Sequence, residues 1–161
     1  YKENYSELNP LFTFAVPGYN MRNQEFNAVL GLEQLKRLDY NTEKRSENFD
    51  VWINCLNSIK FKVDYYKNGS SNFALPLILQ EKNPELLNEC CILLDTEKIE
   101  YRVGTAGGGN QARQPYLEKY DFVADNLDNV NHIHDFGLYI GNHPELTREQ
   151  ILKLCEELNK V

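Results

Sequence analysis

The chain has 161 residues, a net charge of −7 at pH 7 and a sequence pI near 5.0, which fits one ordinary domain. The acidic balance argues against a general nucleic-acid binder, because that function needs clustered Lys and Arg. The apolar runs are far too short to span a bilayer and no signal peptide opens the chain, so we expect a cytoplasmic protein with no membrane partner.

The N-terminal part of the chain predicts a strand at 11–16, closed by Pro17 and Gly18, and a helix at 23–38. The apolar residues of this helix fall on two arcs, one with Ala28, Leu32, Leu35 and Leu38, the other with Phe26, Val29 and Leu30. A helix with one apolar stripe docks on one core. Two arcs suggest a second neighbour, either another domain or another subunit; the alternative is a helix buried inside its own domain.

The rest of the chain alternates helices and short strands. We predict helices at 41–59, 84–95, 127–135 and from the capping box Thr147–Gln150 onward, and strands at 72–79, 99–105 and 137–141. Helical spacing assigns Phe49, Trp52, Ile53, Leu56 and Ile59 to the core. Pro76 lacks an N–H group, so its strand should lie at a sheet edge or carry a bulge. The sum predicts an α+β fold with a short, mostly antiparallel sheet and packed helices.

The turn before the first helix carries a candidate anion site. Asn20 stands just before the helix start, where backbone N–H groups are free and the helix dipole favours an anion. Arg22 adds a planar donor fork suited to phosphate or carboxylate.

The same stretch also carries a longer pattern. Gly18 and the eight residues that follow it in register give G-Y-N-x-R-x-x-E-x-x-A-x-x-G-x-x-Q-L, ending at Leu35. This pattern resembles the DegT/DnrJ/EryC1 family of sugar aminotransferases and dehydratases, which use pyridoxal 5′-phosphate (PLP) or pyridoxamine 5′-phosphate (PMP). The resemblance implies that residues 1–161 are the C-terminal small domain of a fold-type I enzyme whose large cofactor domain lies upstream.

The resemblance also assigns roles to residues of the turn. It implies that Asn20 reaches across a homodimer interface to the phosphate of the partner's cofactor. Tyr19 and Arg22 would lie at the same entrance to the cofactor site. Ala28 and Gly31 would leave a notch for close approach of another element, since a mid-helix glycine otherwise costs about 1 kcal/mol. No catalytic residue is expected in this chain.

A glycine-rich segment at 106–115, AGGGNQARQP, is the second candidate site. Its glycines would let the backbone approach a ligand, and Arg113 could pair with a pyrophosphate or sugar oxygen. Together with GLYIGNH at 137–143, this segment resembles the 3-dehydratase branch of the family, which acts on nucleotide-linked 4-keto-6-deoxy sugars. Arg113, Asn110 and His143 are therefore our predicted substrate-binding residues.

The histidines and cysteines do not predict a metal site. His132, His134 and Asp135 lie close together, but no cysteine or carboxylate cluster at zinc spacing accompanies them. The four cysteines form no CxxC pair, which is typical of reduced thiols in a cytosolic protein. His143 precedes a proline and a capped helix, so a role in a turn is the alternative to lining the cofactor mouth.

The resemblance implies a PMP-dependent 3-dehydratase of deoxysugar and lipopolysaccharide (O-antigen) biosynthesis. In that branch a histidine of the large domain replaces the family lysine as the base. One alternative is an aminotransferase of the same family, which would keep an upstream lysine. Another is a binding or interaction module with no catalytic activity, in which the second arc of the first helix docks a partner.

Overall fold

The computed structural model describes residues 4–18 and 24–161. Within these residues the helices are α1 (Glu25–Leu35), α2 (Leu38–Cys55), α3 (Pro84–Thr96), α4 (Asp128–Phe136) and α5 (Arg148–Lys160). The strands are β1 (Ala74–Ile78), β2 (Tyr101–Val103) and β3 (Gly137–Gly141). Three short 3-10 helices, Gly104–Gly107, Gln111–Arg113 and Pro115–Lys119, lie in the segment between β2 and α4.

The three strands form one antiparallel sheet in the order β1-β3-β2. The outer strands β1 and β2 therefore run in the same direction, and α3 connects them. Pro76 pairs with Tyr139 in β1, which is an edge strand, so the edge position predicted from the proline is confirmed. The α+β fold with a short antiparallel sheet is confirmed as well.

One face of the sheet is covered by helices. Leu75 and Leu77 of β1 pair with Ile140 and Leu138 of β3, and all four side chains are buried against residues of α2, α3 and α5. The indole Nε1 of Trp52 donates to the carbonyl oxygen of Pro76 at 2.7 Å, which ties α2 to the edge strand. The core further includes Phe49, Leu56, Phe61, Leu79, Cys90, Leu94, Ile151, Cys155 and Leu158.

Two predicted helix starts are confirmed by their caps. The Asn83 side chain accepts from the Leu86 N–H at 3.0 Å, with Pro84 as the first helical residue. At α5, Thr147 and Gln150 form the reciprocal capping box. These local signals determine where α3 and α5 begin.

Two sequence predictions were wrong. Residues 11–16 form a turn, bends and irregular chain instead of a strand, because the Phe12 carbonyl and the Phe14 N–H bind a side chain and not a neighbouring strand. Ile59 is 84% exposed because α2 ends at Cys55. There the Asn159 side chain donates to the Cys55 carbonyl at 2.8 Å and accepts from the Asn57 N–H at 2.8 Å.

Helix α1 packs on no core within the part of the chain that is described. It contains no buried residue, and Phe26, Val29, Leu30, Leu32 and Leu35 are each about half exposed or more. A Cβ atom at Gly31 would meet no atom of the described residues within 4 Å. The prediction that this helix faces another neighbour is consistent with both observations. None of the described helices is long and apolar enough to cross a membrane.

Candidate functional site

The glycine-rich loop folds against α4, and close packing requires two of its glycines. A Cβ atom at Gly109 would lie 2.7 Å from both the Gly104 carbonyl oxygen and Nδ1 of His134. A Cβ atom at Gly107 would lie 2.7 Å from the Arg102 carbonyl oxygen. These glycines therefore let the loop approach its own backbone and one imidazole, in addition to any ligand.

His134 lies at the centre of this packing. Its ring is buried, and Nδ1 accepts a hydrogen bond from the Asn110 N–H at 3.1 Å, so Nδ1 carries no proton. Burial lowers the pKa of His134, and the nearby positive charge of Arg113 lowers it further. The imidazole is therefore neutral at pH 7 and acts as a hydrogen-bond acceptor for the loop.

Asn110 is buried, and its side chain holds the loop in place. Its amide Nδ2 donates to Oδ1 of Asn131 at 2.8 Å, and its Oδ1 accepts from the Ala112 N–H at 2.8 Å. This second contact caps the 3-10 helix Gln111–Arg113. The predicted substrate residue thus makes structural hydrogen bonds within this chain.

Arg113 forms a bidentate ion pair with Asp135. Nη1 and Nη2 donate to the two carboxylate oxygens at 2.6 and 2.9 Å, and Nε and Nη2 donate to Oδ1 of Asn131 at 3.2 and 3.0 Å. The Arg113 side chain is 30% exposed, so one side of the guanidinium group borders solvent. The pKa of Asp135 is lowered by this hydrogen-bonded cation. We call Asn110, Arg113, Asn131, His134 and Asp135 the loop–α4 cluster.

Gln114 was missed by sequence reasoning. Its side chain is fully buried and binds the loop residue Thr105 as well as backbone groups of Phe12 and Phe14. No local pattern marks it, since its partners in the N-terminal segment lie about a hundred positions away. It joins the N-terminal segment to the glycine-rich loop.

His143 lies apart from the loop–α4 cluster. Helix α4 enters β3 directly at Gly137, whereas His143 follows the opposite end of that strand. Five strand residues span about 17 Å, so this chain alone does not bring His143 to Arg113 and Asn110. The His143 side chain is 69% exposed, and its Nδ1 accepts from the Glu145 N–H at 3.2 Å.

Asn142 is the buried polar residue of the GNH segment. Its Nδ2 donates to the carbonyl oxygens of Arg45 at 2.9 Å and Asn72 at 2.8 Å, and its Oδ1 accepts from Nδ2 of Asn48 at 3.1 Å. Asn142 thereby links α2, the start of β1 and the turn that presents His143.

The predicted cofactor residues Tyr19, Asn20 and Arg22 lie outside the described residues. The described chain stops at Gly18 and resumes at Gln24, which makes no side-chain cap hydrogen bond to α1. No group of three or more His, Cys, Asp or Glu side chains in residues 4–18 and 24–161 is placed to hold a metal ion.

The fold and the loop–α4 cluster define a small α+β domain in which a glycine-rich loop packs on a short helix. Helix α1 of this domain has no buried residue. The sequence matches the DegT/DnrJ/EryC1/StrS aminotransferase family over residues 2–159. The chain belongs to this family.

Three comparisons show the nature of the relatives. A GDP-4-keto-6-deoxy-D-mannose 3-dehydratase of Yersinia pseudotuberculosis is 31% identical over 151 residues, covering 92% of this chain and 38% of the relative. A GDP-perosamine synthase of Escherichia coli O157:H7 is 27% identical, covering 90% and 38%. The structure of an E. coli GDP-4-keto-6-deoxy-D-mannose-3-dehydratase with bound hydrated PLP superposes with a TM-score of 0.74 at 28% identity, covering 92% and 38%. The chain thus spans well under half the length of these proteins.

Proposed function

We propose that this chain is the C-terminal domain of a PMP-dependent 3-dehydratase, which removes the C3 hydroxyl of a nucleotide-linked 4-keto-6-deoxyhexose. The observation that carries the proposal is the match to a GDP-4-keto-6-deoxy-D-mannose 3-dehydratase over 92% of the chain. Because the match covers this much of the chain, it includes the whole glycine-rich loop and the GNH segment. The fold also superposes on the structure of a solved dehydratase. The large cofactor-binding domain would precede this chain in the complete enzyme.

We assign the contact to the cofactor phosphate to the turn before α1. When bound, PMP or PLP supplies an amine or aldehyde that reacts with carbonyl or amino groups and a pyridine ring that holds electrons. Arg113 already donates to Asp135 and Asn131, so it is poorly placed to hold the cofactor phosphate. The start of α1 fits a phosphate better, because no side chain of Gln24 caps it and its dipole favours an anion. Asn20, with Tyr19 and Arg22, would then bind the phosphate.

Substrate contacts would come from two places in the domain. The solvent-facing part of the Arg113 guanidinium could bind an oxygen of the nucleotide sugar while Asp135 fixes its orientation. Asn110 would act by shaping the loop, since its side chain is already bonded to Asn131 and Ala112. His143 is exposed and would meet the substrate from the opposite end of β3.

A homodimer would complete the site. The exposed apolar residues of α1 include Phe26, which is 67% exposed, and Leu30, which is 49% exposed. Exposed apolar side chains grouped on one helix are typical of a surface that another element covers. Gly31, whose Cβ position is open, leaves space for close approach of that element. We propose that the partner subunit occupies it and receives Asn20 at its cofactor.

We also propose that the enzyme acts in the cytoplasm. All four cysteines are free, two of them buried, and the pKa values of the buried Cys90 and Cys155 thiols are raised to about 12, chiefly by burial. Such inert, reduced thiols are typical of a reducing compartment.

Borohydride labelling of the complete enzyme tests the dehydratase assignment against the aminotransferase. After incubation with PLP, reduction and digestion, mass spectrometry is used to search for a pyridoxyl-lysine. The dehydratase proposal predicts bound cofactor without a labelled lysine. A labelled lysine in the upstream domain would instead support an aminotransferase. If the complete protein binds neither PLP nor PMP, the remaining interpretation is a non-catalytic interaction module.

A further inference from the structure

A polar groove lies beside α4, at the end of the sheet where β1 ends and β3 begins. Its lining comes from three places in the chain: Lys62 and Asp64, Gln80 and Lys82, and α4 itself. The groove has a volume of about 890 Å³. Sites for small molecules typically have volumes of about 300–1,000 Å³, so this space is large enough for a ligand. We call it the α4 groove.

Backbone hydrogen bonds hold the three parts of the lining together. The Lys62 N–H donates to the Ile78 carbonyl oxygen at 2.8 Å, and the Leu79 N–H donates to the Phe136 carbonyl oxygen at 2.9 Å. Nε2 of His132 donates to the Leu79 carbonyl oxygen at 2.6 Å, since a carbonyl oxygen only accepts. The groove is therefore built on hydrogen-bonded parts of the fold.

Two lysines of the groove have no carboxylate bound to them. Within the described residues, neither Lys62 nor Lys82 forms an ion pair. Asp135 also lines the groove and its charge is felt by Lys82, but both of its oxygens already accept hydrogen bonds from Arg113. The two ammonium groups can therefore donate to a negatively charged ligand.

Two further carboxylates in the groove restrict what that ligand is. Asp64 and Asp128 both line it and would repel a bare phosphate ion. They suit a ligand that combines an anion with hydroxyl groups, because a carboxylate binds ribose hydroxyls in dinucleotide sites. Ammonium and carboxylate groups in one groove thus favour a nucleoside diphosphate over inorganic phosphate.

The α4 groove adjoins the predicted substrate residue Arg113. Asn131 and Asp135, which accept hydrogen bonds from the Arg113 guanidinium group, also line the groove. Residues three and four positions apart share one face of a helix, so Asp128, Asn131 and Asp135 form a row along α4. This row leads from the groove to Arg113. One extended ligand can therefore contact both.

We propose that the α4 groove binds the nucleoside diphosphate part of the nucleotide sugar, with Lys62 and Lys82 at the diphosphate. This inference rests on the proposed function, because Arg113 would bind the sugar end of the same substrate. Lysine binds phosphate as a point charge. Lys62 is half-buried and Lys82 is exposed, so their attraction for the diphosphate should weaken with added salt.

The test is titration calorimetry of the complete enzyme with GDP, which requires neither PMP nor turnover. Lys62→Met and Lys82→Met each remove one ammonium group and retain a long unbranched side chain. We expect each variant to raise the Kd for GDP about fivefold or more, and the KM for the GDP-linked 4-keto-6-deoxy sugar by a similar factor. Added salt should weaken GDP binding less in the variants than in wild type. Neither lysine forms a described ion pair, so Tm should change little.

The matched control is Lys153→Met, which makes the same change of charge on α5. Lys153 is exposed, forms no ion pair within the described part of the chain and does not line the α4 groove. Its Kd for GDP should stay within about twofold of wild type. If Lys153→Met weakens GDP binding as much as Lys82→Met, only net charge matters and the inference is overturned. Unchanged GDP binding in both groove variants overturns it as well.

Failure of this inference can be distinguished from failure of the proposed function. If the groove variants lose GDP affinity but the wild-type enzyme does not remove the C3 hydroxyl, the groove is a nucleotide site and only the dehydratase assignment fails. If the wild type converts the sugar and the groove variants match it in Kd and KM, the function stands and the groove inference is overturned. A wild-type enzyme that binds neither GDP nor UDP also overturns the inference, whatever its activity.

Discussion

The carboxylate of Asp135 accepts two hydrogen bonds from the guanidinium group of Arg113, at 2.6 and 2.9 Å. The pair joins the last turn of α4 to the glycine-rich loop. Both side chains are partly exposed, so the pair itself should contribute about 1 kcal/mol or less to stability. Its larger effect is to orient a cation at the edge of the loop.

Arg113→Ala in the complete enzyme should raise the KM for the nucleotide sugar about tenfold or more, because a charged hydrogen bond to substrate contributes about 1.5–3 kcal/mol. Asp135→Asn keeps the arginine and removes only its charged partner, so steady-state kinetics should show a smaller rise. If both variants lower Tm and neither changes KM, Arg113 does not bind the substrate.

The buried His134 predicts a loss of stability in mild acid. Burial, and then Arg113, lower its pKa below the ordinary 6.5, against smaller opposing effects of Asp135 and Glu7. The unfolded chain therefore binds more protons than the folded chain below about pH 6.5. The free energy of unfolding should fall with decreasing pH in that range, by at most about 1.4 kcal/mol per pH unit for this one proton.

Urea unfolding at a series of pH values measures this slope. His134→Asn retains an acceptor for the Asn110 N–H but does not titrate, so it should flatten the slope between pH 7 and 5. An unchanged slope in His134→Asn would show that groups other than His134 cause any loss of stability in acid. Asp135 affects only more acidic conditions, since its pKa is lowered below the ordinary 3.8.

Charged substitutions on α1 should separate the proposed dimer. Phe26→Glu places a carboxylate where an apolar ring would be buried, at a cost of several kcal/mol per interface. Sedimentation of the complete enzyme should therefore show a monomer at concentrations where the wild type is a dimer. Ile92→Glu is the control, because Ile92 is also exposed, at 56%, but lies on α3.

Sedimentation of the Gly31→Ala variant tests whether another element packs closely against α1 at Gly31. A Cβ atom there meets no atom of residues 4–18 and 24–161 within 4 Å, so the change should stabilise α1 by up to about 1 kcal/mol. A weaker dimer despite a more stable helix would place a partner against Gly31. An Ile92→Glu variant that dissociates as readily as Phe26→Glu would contradict a specific α1 interface.

Asn20→Ala in the complete enzyme should weaken PMP binding about tenfold, the loss expected when one hydrogen bond to a charged phosphate is removed. Equilibrium titration, followed by the absorbance or fluorescence of PMP, measures the Kd. Gln24→Ala is a suitable control, because Gln24 lies at the start of α1 without a side-chain cap bond. An Asn20→Ala variant with wild-type affinity would refute the cofactor assignment.

Local signals in the sequence predicted much of the fold. Asn83 with Pro84, and Thr147 with Gln150, mark helix starts because their partners lie within one turn. Pro76 marked the edge strand because the missing N–H is a property of the residue itself. The helix starts and the edge strand depend on residues that are close in sequence, so they could be predicted from the sequence.

The errors arose where a distant side chain replaces a local partner. The apolar run at 11–16 has the composition of a strand, yet Gln114 binds its backbone groups from about a hundred residues away. Ile59 continues the helical spacing of α2, yet Asn159 binds the groups at the end of that helix. The loop–α4 cluster is of the same kind, since Arg113 was identified as a ligand candidate but its partner Asp135 was considered only for metal.

Product analysis of the complete enzyme tests the central claim most directly. The enzyme is incubated with PLP, glutamate and GDP-4-keto-6-deoxymannose, and the sugar product is identified by mass spectrometry and NMR. The account predicts a product that has lost the oxygen at C3 and keeps the ketone at C4. A product with an amine at C4 and an intact C3 hydroxyl, or no conversion of the sugar at all, would contradict it.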